Sequence, residues 1–176
     1  LNAYSSLFDN YKINTSASPA IEYNIFPYSE STKRQIRFTY RAGPKYNEYN
    51  EETIYNKTSE GLFYESLGIS AKFLEKWGSV SASVNGSHYF HNIDINRINF
   101  RMNLNFRLFK GFSLNLGGNI ALIHDQISLP LGDATEEDIL LSQRQLQTGY
   151  RYWGNAGISY TFGSIYNSVV NPRFGN

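Results

Sequence analysis

The residues of this chain that could do chemistry are its three histidines, a short run of acids and a set of arginines. His88 and His91, in the sequence HYFH, are close enough in the chain to suggest a metal pair. On a strand, however, residues three apart point to opposite faces and cannot share an ion, and the neighbours His124 and Asp125 diverge in the same way. Ser87, His91 and Asp125 carry the groups of a lipolytic triad, but hydrolysis needs the three to converge and no motif sets that up. Asp133, Glu136, Glu137 and Asp138 are not spaced as a recognised calcium loop. Acids in such a run suit the first turn of a helix, where they favour the dipole. No enzyme activity, catalytic residue, cofactor or metal is therefore expected. The arginines are different. Arg37, Arg41, Arg101, Arg107 and Arg151 fall at alternate positions of apolar-patterned segments, with Glu22 the clearest acid on the same side. Two readings are open. One is a basic lumen that favours anions; the other is a barrel interior filled by side chains, where Arg bonds Asn, Ser and Glu neighbours.

The elements that must position these residues are clearest from Ile98 to Leu122. Ile98, Phe100, Met102, Leu104, Phe106 and Leu108 alternate strictly with Asn99, Arg101, Asn103, Asn105 and Arg107. After Phe109, Lys110 and Gly111, a second run alternates Phe112, Leu114, Leu116, Gly118, Ile120 and Leu122 with Ser113, Asn115, Gly117, Asn119 and Ala121. Period two means strand, with one apolar and one polar face. Each run is roughly 11 residues, against about 5–6 for an ordinary strand and about 9–11 for a tilted strand crossing a bilayer. A polar face of Asn and Arg suits a wet barrel interior better than the outside of a soluble sandwich. The expected lumen-facing polar set is thus Glu22, Arg37, Arg41, Arg101, Asn103, Arg107, Asn115, Asn119 and Arg151. The expected lipid-facing set is Phe100, Leu104, Phe106, Leu114, Leu116, Ile158, Tyr160 and Phe162.

Whole-chain numbers agree with that pattern. The 176 residues suit one domain, enough for a small barrel. The aromatic share of 16%, with 14 Tyr and 12 Phe, is high for a soluble domain and fits interfacial girdles. Mean hydropathy is -0.43, but alternation hides membrane strands from an averaging scale. No run of about 18 apolar residues occurs, so a helical span is excluded. The net charge of +1 gives no reason to expect nucleic acid as a partner, and the absence of Cys suits an extracytoplasmic setting. Leu1 opens directly into strand-like sequence without a three-part signal peptide; an outer-membrane protein needs one, so a mature or truncated chain is expected.

In chain order, the alternation predicts strands over Leu1–Phe8, Ile13–Phe26, Gln35–Tyr49, Gly61–Glu75, Ser79–His91, the two runs above, and Thr148–Phe162. That is about eight. Pro19 cannot donate to a ladder, which predicts an edge, bulge or strand end there. Turns are expected at Asp9–Lys12, Pro27–Arg34, Lys76–Gly78 and Asp94–Arg97, and longer loops at 50–60 and 128–147. In the last, Thr135 and Asp138 stand at capping-box spacing and predict a short helical turn. With a periplasmic C-terminus, the short turns at 76–78 and 109–111 are periplasmic and the long loops external, the asymmetry of outer-membrane barrels.

The blocks EYNIFPYSES (22–31), YNEYNEETIY (46–55), WGSVSASVNGSHYFH (77–91), RLFKGFSLNL (107–116) and SYTFGSIYNSVVNPRF (159–174) resemble an uncharacterised family of outer-membrane β-barrel proteins of Bacteroidota and related Gram-negative bacteria. The resemblance covers nearly the whole chain. It implies a bacterial outer-membrane location, and further strand-rich sequence ahead of the position matching Leu1, which would make this chain the C-terminal part of a larger barrel. It brings no established activity, and no functional residues carry over. The expected organisation is barrel strands over 1–163 and a periplasmic tail over 164–176. In the tail, Gly163 and Ser164 make a turn, and Ile165, Tyr166, Val169, Val170 and Phe174 fit no period-two face. The expected role is structural or accessory, presenting external loops, with outer-membrane lipid as partner and other envelope proteins contacted through the tail or the loops. The alternative is a pore or transporter lined by Arg and Asn, which would take about twelve or more strands; the remote one is a membrane-embedded lipid hydrolase.

Overall fold

Two-residue turns join the four successive strands between Ser59 and Ile123. The structure, a computed structural model, describes residues 1–132 and 146–161. Nine strands form one antiparallel sheet: β1 (Asn2–Ser6), β2 (Tyr11–Ser16), β3 (Ala20–Asn24), β4 (Arg34–Tyr49), β5 (Ser59–Glu75), β6 (Gly78–Tyr89), β7 (Asn92–Phe109), β8 (Phe112–Ile123) and β9 (Tyr150–Tyr160). The order runs β1-β2-β4-β5-β6-β7-β8-β9, with β3 also paired to β4. β2 from Ile13 onward and β3 lie end to end along β4 in one register, Ser16 opposite Lys45 and Ala20 opposite Arg41. The sheet therefore has eight rows. The gap between β2 and β3 falls at Pro19, as its missing N–H predicts. Here the chains run so close that a Cβ on Gly43 would overlap the Ala17 carbonyl oxygen. β1 and β9 are the two ends of the sheet, and no pairing joins them among the described residues.

The register runs unbroken through the centre of the sheet. Leu104 lies opposite Val80 and Leu116, and Leu116 opposite Ala156. In the adjacent register, Arg101 lies opposite Ser83 and Asn119, and Asn119 opposite Trp153. Phe100, Leu104, Phe106, Leu114, Leu116, Ile158 and Tyr160 thus share one face. Glu22, Arg37, Arg41, Arg101, Asn103, Arg107, Asn115, Asn119 and Arg151 share the other. Phe162, the helical turn expected near Thr135 and the 164–176 tail lie outside the described residues.

Some boundaries differ from the sequence reading, each for a local reason. The turn expected at Asp94–Arg97 is part of β7, and the chain reverses at 90–91 instead. Tyr89 pairs with Asn92 but His88 with Asn96, so residues 93–95 bulge from the strand. Their backbone is satisfied locally, with Asn92 Oδ1 accepting from Asp94 N at 2.9 Å and Asn96 Nδ2 donating to the Ile93 carbonyl at 2.9 Å. Side chains of this kind imitate a turn without ending a strand. The Lys76–Gly78 turn is shorter than expected, because Gly78 already pairs with Glu75. The last long connection begins at 124, not at Ser128, and β9 begins at Tyr150, since Thr148 N donates to Gln126 Oε1 at 2.7 Å rather than to a ladder. A single 3-10 turn, Tyr28–Glu30, sits in the expected 27–34 connection.

Burial is inverted relative to a water-soluble sheet. Among the most enclosed side chains are Asn47, Asn14 and Tyr49, at 0%, 1% and 4% exposure, all on the polar face or its loops. Ile158, Ile120 and Leu67, on the apolar face, are 71%, 55% and 50% exposed.

Candidate functional site

The enclosed part of the polar face lies at the end of the sheet that carries the turn at 7–10, the loop at 50–58 and the connection after β8. Asn10 ties these together. Its Nδ2 donates to the carbonyls of Glu51 at 3.0 Å and Ser128 at 2.9 Å, and its Oδ1 accepts from Glu51 N at 2.8 Å. Asn10 holds φ at 59°, a left-handed conformation that Asn tolerates better than most residues. The 50–58 loop is latched to the β8 connection by Ile54 N on the Leu129 carbonyl and Leu131 N on the Glu52 carbonyl, around the bridge from Thr53 to Pro130. Ile127 and Leu129 turn inward beneath this latch and are buried. Below them Asn14 Nδ2 donates to Asn47 Oδ1 at 2.9 Å, Asn47 Nδ2 to the Tyr49 hydroxyl at 3.0 Å, and that hydroxyl to Glu60. Among the described residues no buried side-chain nitrogen or oxygen lacks a partner, as a buried polar network requires.

Beside this network lies a polar chamber of about 540 Å3, lined from β1, β2, β4, β6, β7, β9 and the loops. Tyr11 and Tyr89, both buried, form its floor with half-buried Lys45. Lys45 Nζ donates to the Tyr89 hydroxyl at 3.2 Å and stands 5.7 Å from the ring centroids of both Tyr11 and Tyr89, a cation–π arrangement. Tyr4 packs edge-on to Tyr11 at 5.7 Å and reaches the rim, where it is exposed with Phe8 and Arg151. Arg97 Nε donates to both oxygens of Asp125, at 2.9 and 3.0 Å, in the chamber wall.

The structure distributes the residues singled out in the sequence as follows. Of the arginine set, only Arg151 lines the chamber. Arg37 faces Glu22 across β3 and β4 at 3.5 Å, and Arg41, Arg101 and Arg107 are exposed further along the same face. Asn115 is hydrogen-bonded by Asn105, while Asn119 donates to Asn99 Oδ1 at 2.7 Å. Asn103 is exposed. His88 reaches Glu65 at 2.7 Å from the apolar face, and Glu65 also accepts from the Tyr40 hydroxyl. The His91 ring lies 5.9 Å from that of Tyr89 instead, so the two histidines do part. Asp125 is held by Arg97 and His124 lies against Asn96. Among the described residues no group of three metal-ligating side chains occurs. The acids at 133–138 lie outside them.

Sequence reading missed Asn10, Lys45, Arg97 and the three chamber tyrosines. Lys45 and Arg97 were within reach, since both continue the polar alternation of β4 and β7. Assigning Arg97 to a turn concealed it. No family model, curated protein or solved structure matches this chain.

Proposed function

We propose that the chain is a membrane-spanning β-barrel, or the larger part of one, in a bacterial outer membrane, with a structural or accessory role at the end that carries the long loops. The observation behind this reading is a charge-free band across the apolar face. From Ile36 to Ala42 in β4, Leu67 to Phe73 in β5, Val80 to Gly86 in β6, Ile98 to Phe106 in β7 and across β8 and β9, every residue on that face is apolar, aromatic or glycine. A contiguous exposed surface of this kind calls for an apolar neighbour. Its charged residues, Arg34, Glu48, Glu65 and Glu75, and the ionisable His88 lie at the margins of that band, Arg34 opposite Phe73 and Glu65 opposite Ala42. Aromatic pairs fringe it at both ends: Phe63 with Phe90 on one side, Trp77 with Phe106 and Phe109 with Phe112 on the other. β9 has 11 residues; at about 3.4 Å each and a tilt of roughly 40° they rise about 28 Å, close to the roughly 25 Å apolar band of such barrels. Lipid tolerates no unpaired strand edge, so in the bilayer β1 and β9 must pair with each other or with further strands. Eight antiparallel rows leave them running in opposite directions, as closure requires.

The test is folding into lipid vesicles. Leu104→Arg or Leu116→Arg should each destabilise the inserted protein by about 2–4 kcal/mol, and Asn103→Arg by far less. Equal penalties at Leu104 and Asn103 would rule out this assignment of faces. A second reading, a pore, draws on exposed Arg41, Arg101 and Arg107 along the polar face. Planar-bilayer conductance that falls on replacing Arg101 and Arg107 would favour it.

A further inference from the structure

We propose that the chamber at the loop end binds a small anionic solute that also carries hydroxyl groups, of the sugar-acid or sugar-phosphate kind. The inference rests on the chamber's own geometry and holds whether or not the apolar face meets lipid. The sign of the ligand follows from which charges are already matched. Among the lining residues, Asp125 is engaged by Arg97, and Asp9 accepts from the Ser6 hydroxyl at 2.9 Å. The cations are less well served. Lys45 has only the Tyr89 hydroxyl and two ring faces, and Arg151 has no ion pair or side-chain hydrogen bond among the described residues. Glu60, whose charge also acts on Lys45, accepts from the Tyr49 hydroxyl and stands outside the chamber lining. A cation drawn out of bulk water and left without an anion is costly, and an incoming carboxylate or phosphate supplies what Lys45 lacks. Lys45, Arg97 and Arg151 against Asp9 and Asp125 leave one positive charge to match.

The rest of the lining favours hydroxyls over hydrocarbon. Tyr4 presents a ring and a hydroxyl at the rim, Tyr11 and Tyr89 line the floor while packed against Lys45, and Gln126 and Ser128 add an amide and a second kind of hydroxyl. Rings that cover the C–H face of a sugar while their edges hydrogen-bond its rim are what an amphipathic solute needs. A volume of about 540 Å3 falls within the usual roughly 300–1,000 Å3 of small-molecule sites. The exposed rim at Tyr4, Phe8 and Arg151 gives entry.

The full chain, refolded in detergent micelles, can be titrated calorimetrically with glucuronate, glucose 6-phosphate and glucose. At least one of the two anions should bind, with glucose roughly tenfold weaker or undetectable, because a charge-assisted contact is lost. Whichever anion binds more tightly identifies the headgroup. Lys45→Met should weaken that binding by roughly tenfold or more. Arg151→Gln, an exposed change that spares the fold, should weaken it in the same direction. Arg107→Gln, on the same face but outside the chamber, should leave it unchanged. Failure of both anions to bind, glucose binding as tightly as they do, or equal losses from Arg107→Gln and Arg151→Gln would overturn the proposal.

Discussion

The two ends of the polar face carry much the same residues and use them in opposite ways. At the loop end Asn14, Asn47 and Tyr49 are buried and hydrogen-bonded beneath the 50–58 loop and the β8 connection. Further down the same face, Arg101, Asn103 and Arg107 are exposed, and Gln35, Arg37, Ser70, Lys72, Arg101 and Asn103 line an open hollow of about 240 Å3. Strand geometry is the same in both places. What differs at the loop end is the cover, whereas in the row of Arg101 the one enclosed asparagine, Asn119, is held by its strand neighbours Asn99 and Phe100. A polar inner face is therefore neither a channel lining nor a packed interior by virtue of its sequence alone.

The sharpest way to break this comparison is to replace one asparagine at each end. Asn47→Ala leaves Asn14 Nδ2 without its acceptor and removes the donor to the Tyr49 hydroxyl. It should cost about 1–3 kcal/mol, whereas Asn103→Ala should stay within about 0.5 kcal/mol. Urea unfolding of both variants in the same micelles measures the difference, and matching losses would mean that loop cover is not what separates the two ends. A much smaller effect belongs to the turn end, where Arg34 hydrogen-bonds Glu30 on the surface and holds its carboxyl below the ordinary carboxylate range. The linked stabilisation is present above the unfolded-state pKa and fades as pH falls through the lower folded value. Both side chains are solvated, so the gain is slight. Site-resolved NMR should find Glu30 titrating below an ordinary glutamate, returning to normal in Arg34→Gln; no change between the two proteins would show the contact to be incidental.

How much of this was legible beforehand depends on the range of the interaction involved. The faces of β7 and β8 could be read from Ile98 to Leu122, because alternation is a property of adjacent residues. Pro19 likewise marked the interruption between β2 and β3 through a donor it lacks. The 93–95 bulge was misread as a turn, because Asn92 and Asn96 bond their own backbone in a way that either structure would produce. The chamber was not readable. Asn10, Glu51 and Ser128 meet only after the sheet has curled, and nothing local to any of them records the other two. Lys45 continued a polar alternation and Arg97 fell in an expected turn, and neither position recorded the Tyr89 or Asp125 that stands next to it.

The bond from Asn10 to Ser128 joins residues 118 apart in the chain, whereas β7 and β8 are joined by the two residues Lys110 and Gly111, the latter at a φ of 80° that suits glycine. This contrast has a consequence for the order of events in folding. A contact across so long a span bears the loop-closure entropy of everything between, while a tight hairpin closes within microseconds. The hairpins β5–β6 and β7–β8 should therefore zip first and the latch over the chamber last, so that a newly made chain passes through a stage with strands paired and the chamber agape. Pulse-labelling hydrogen exchange during refolding would show it as early protection of amides in β7 and β8 and late protection of Ile54 and Leu131; simultaneous protection would mean that the sheet and its cover form in one step.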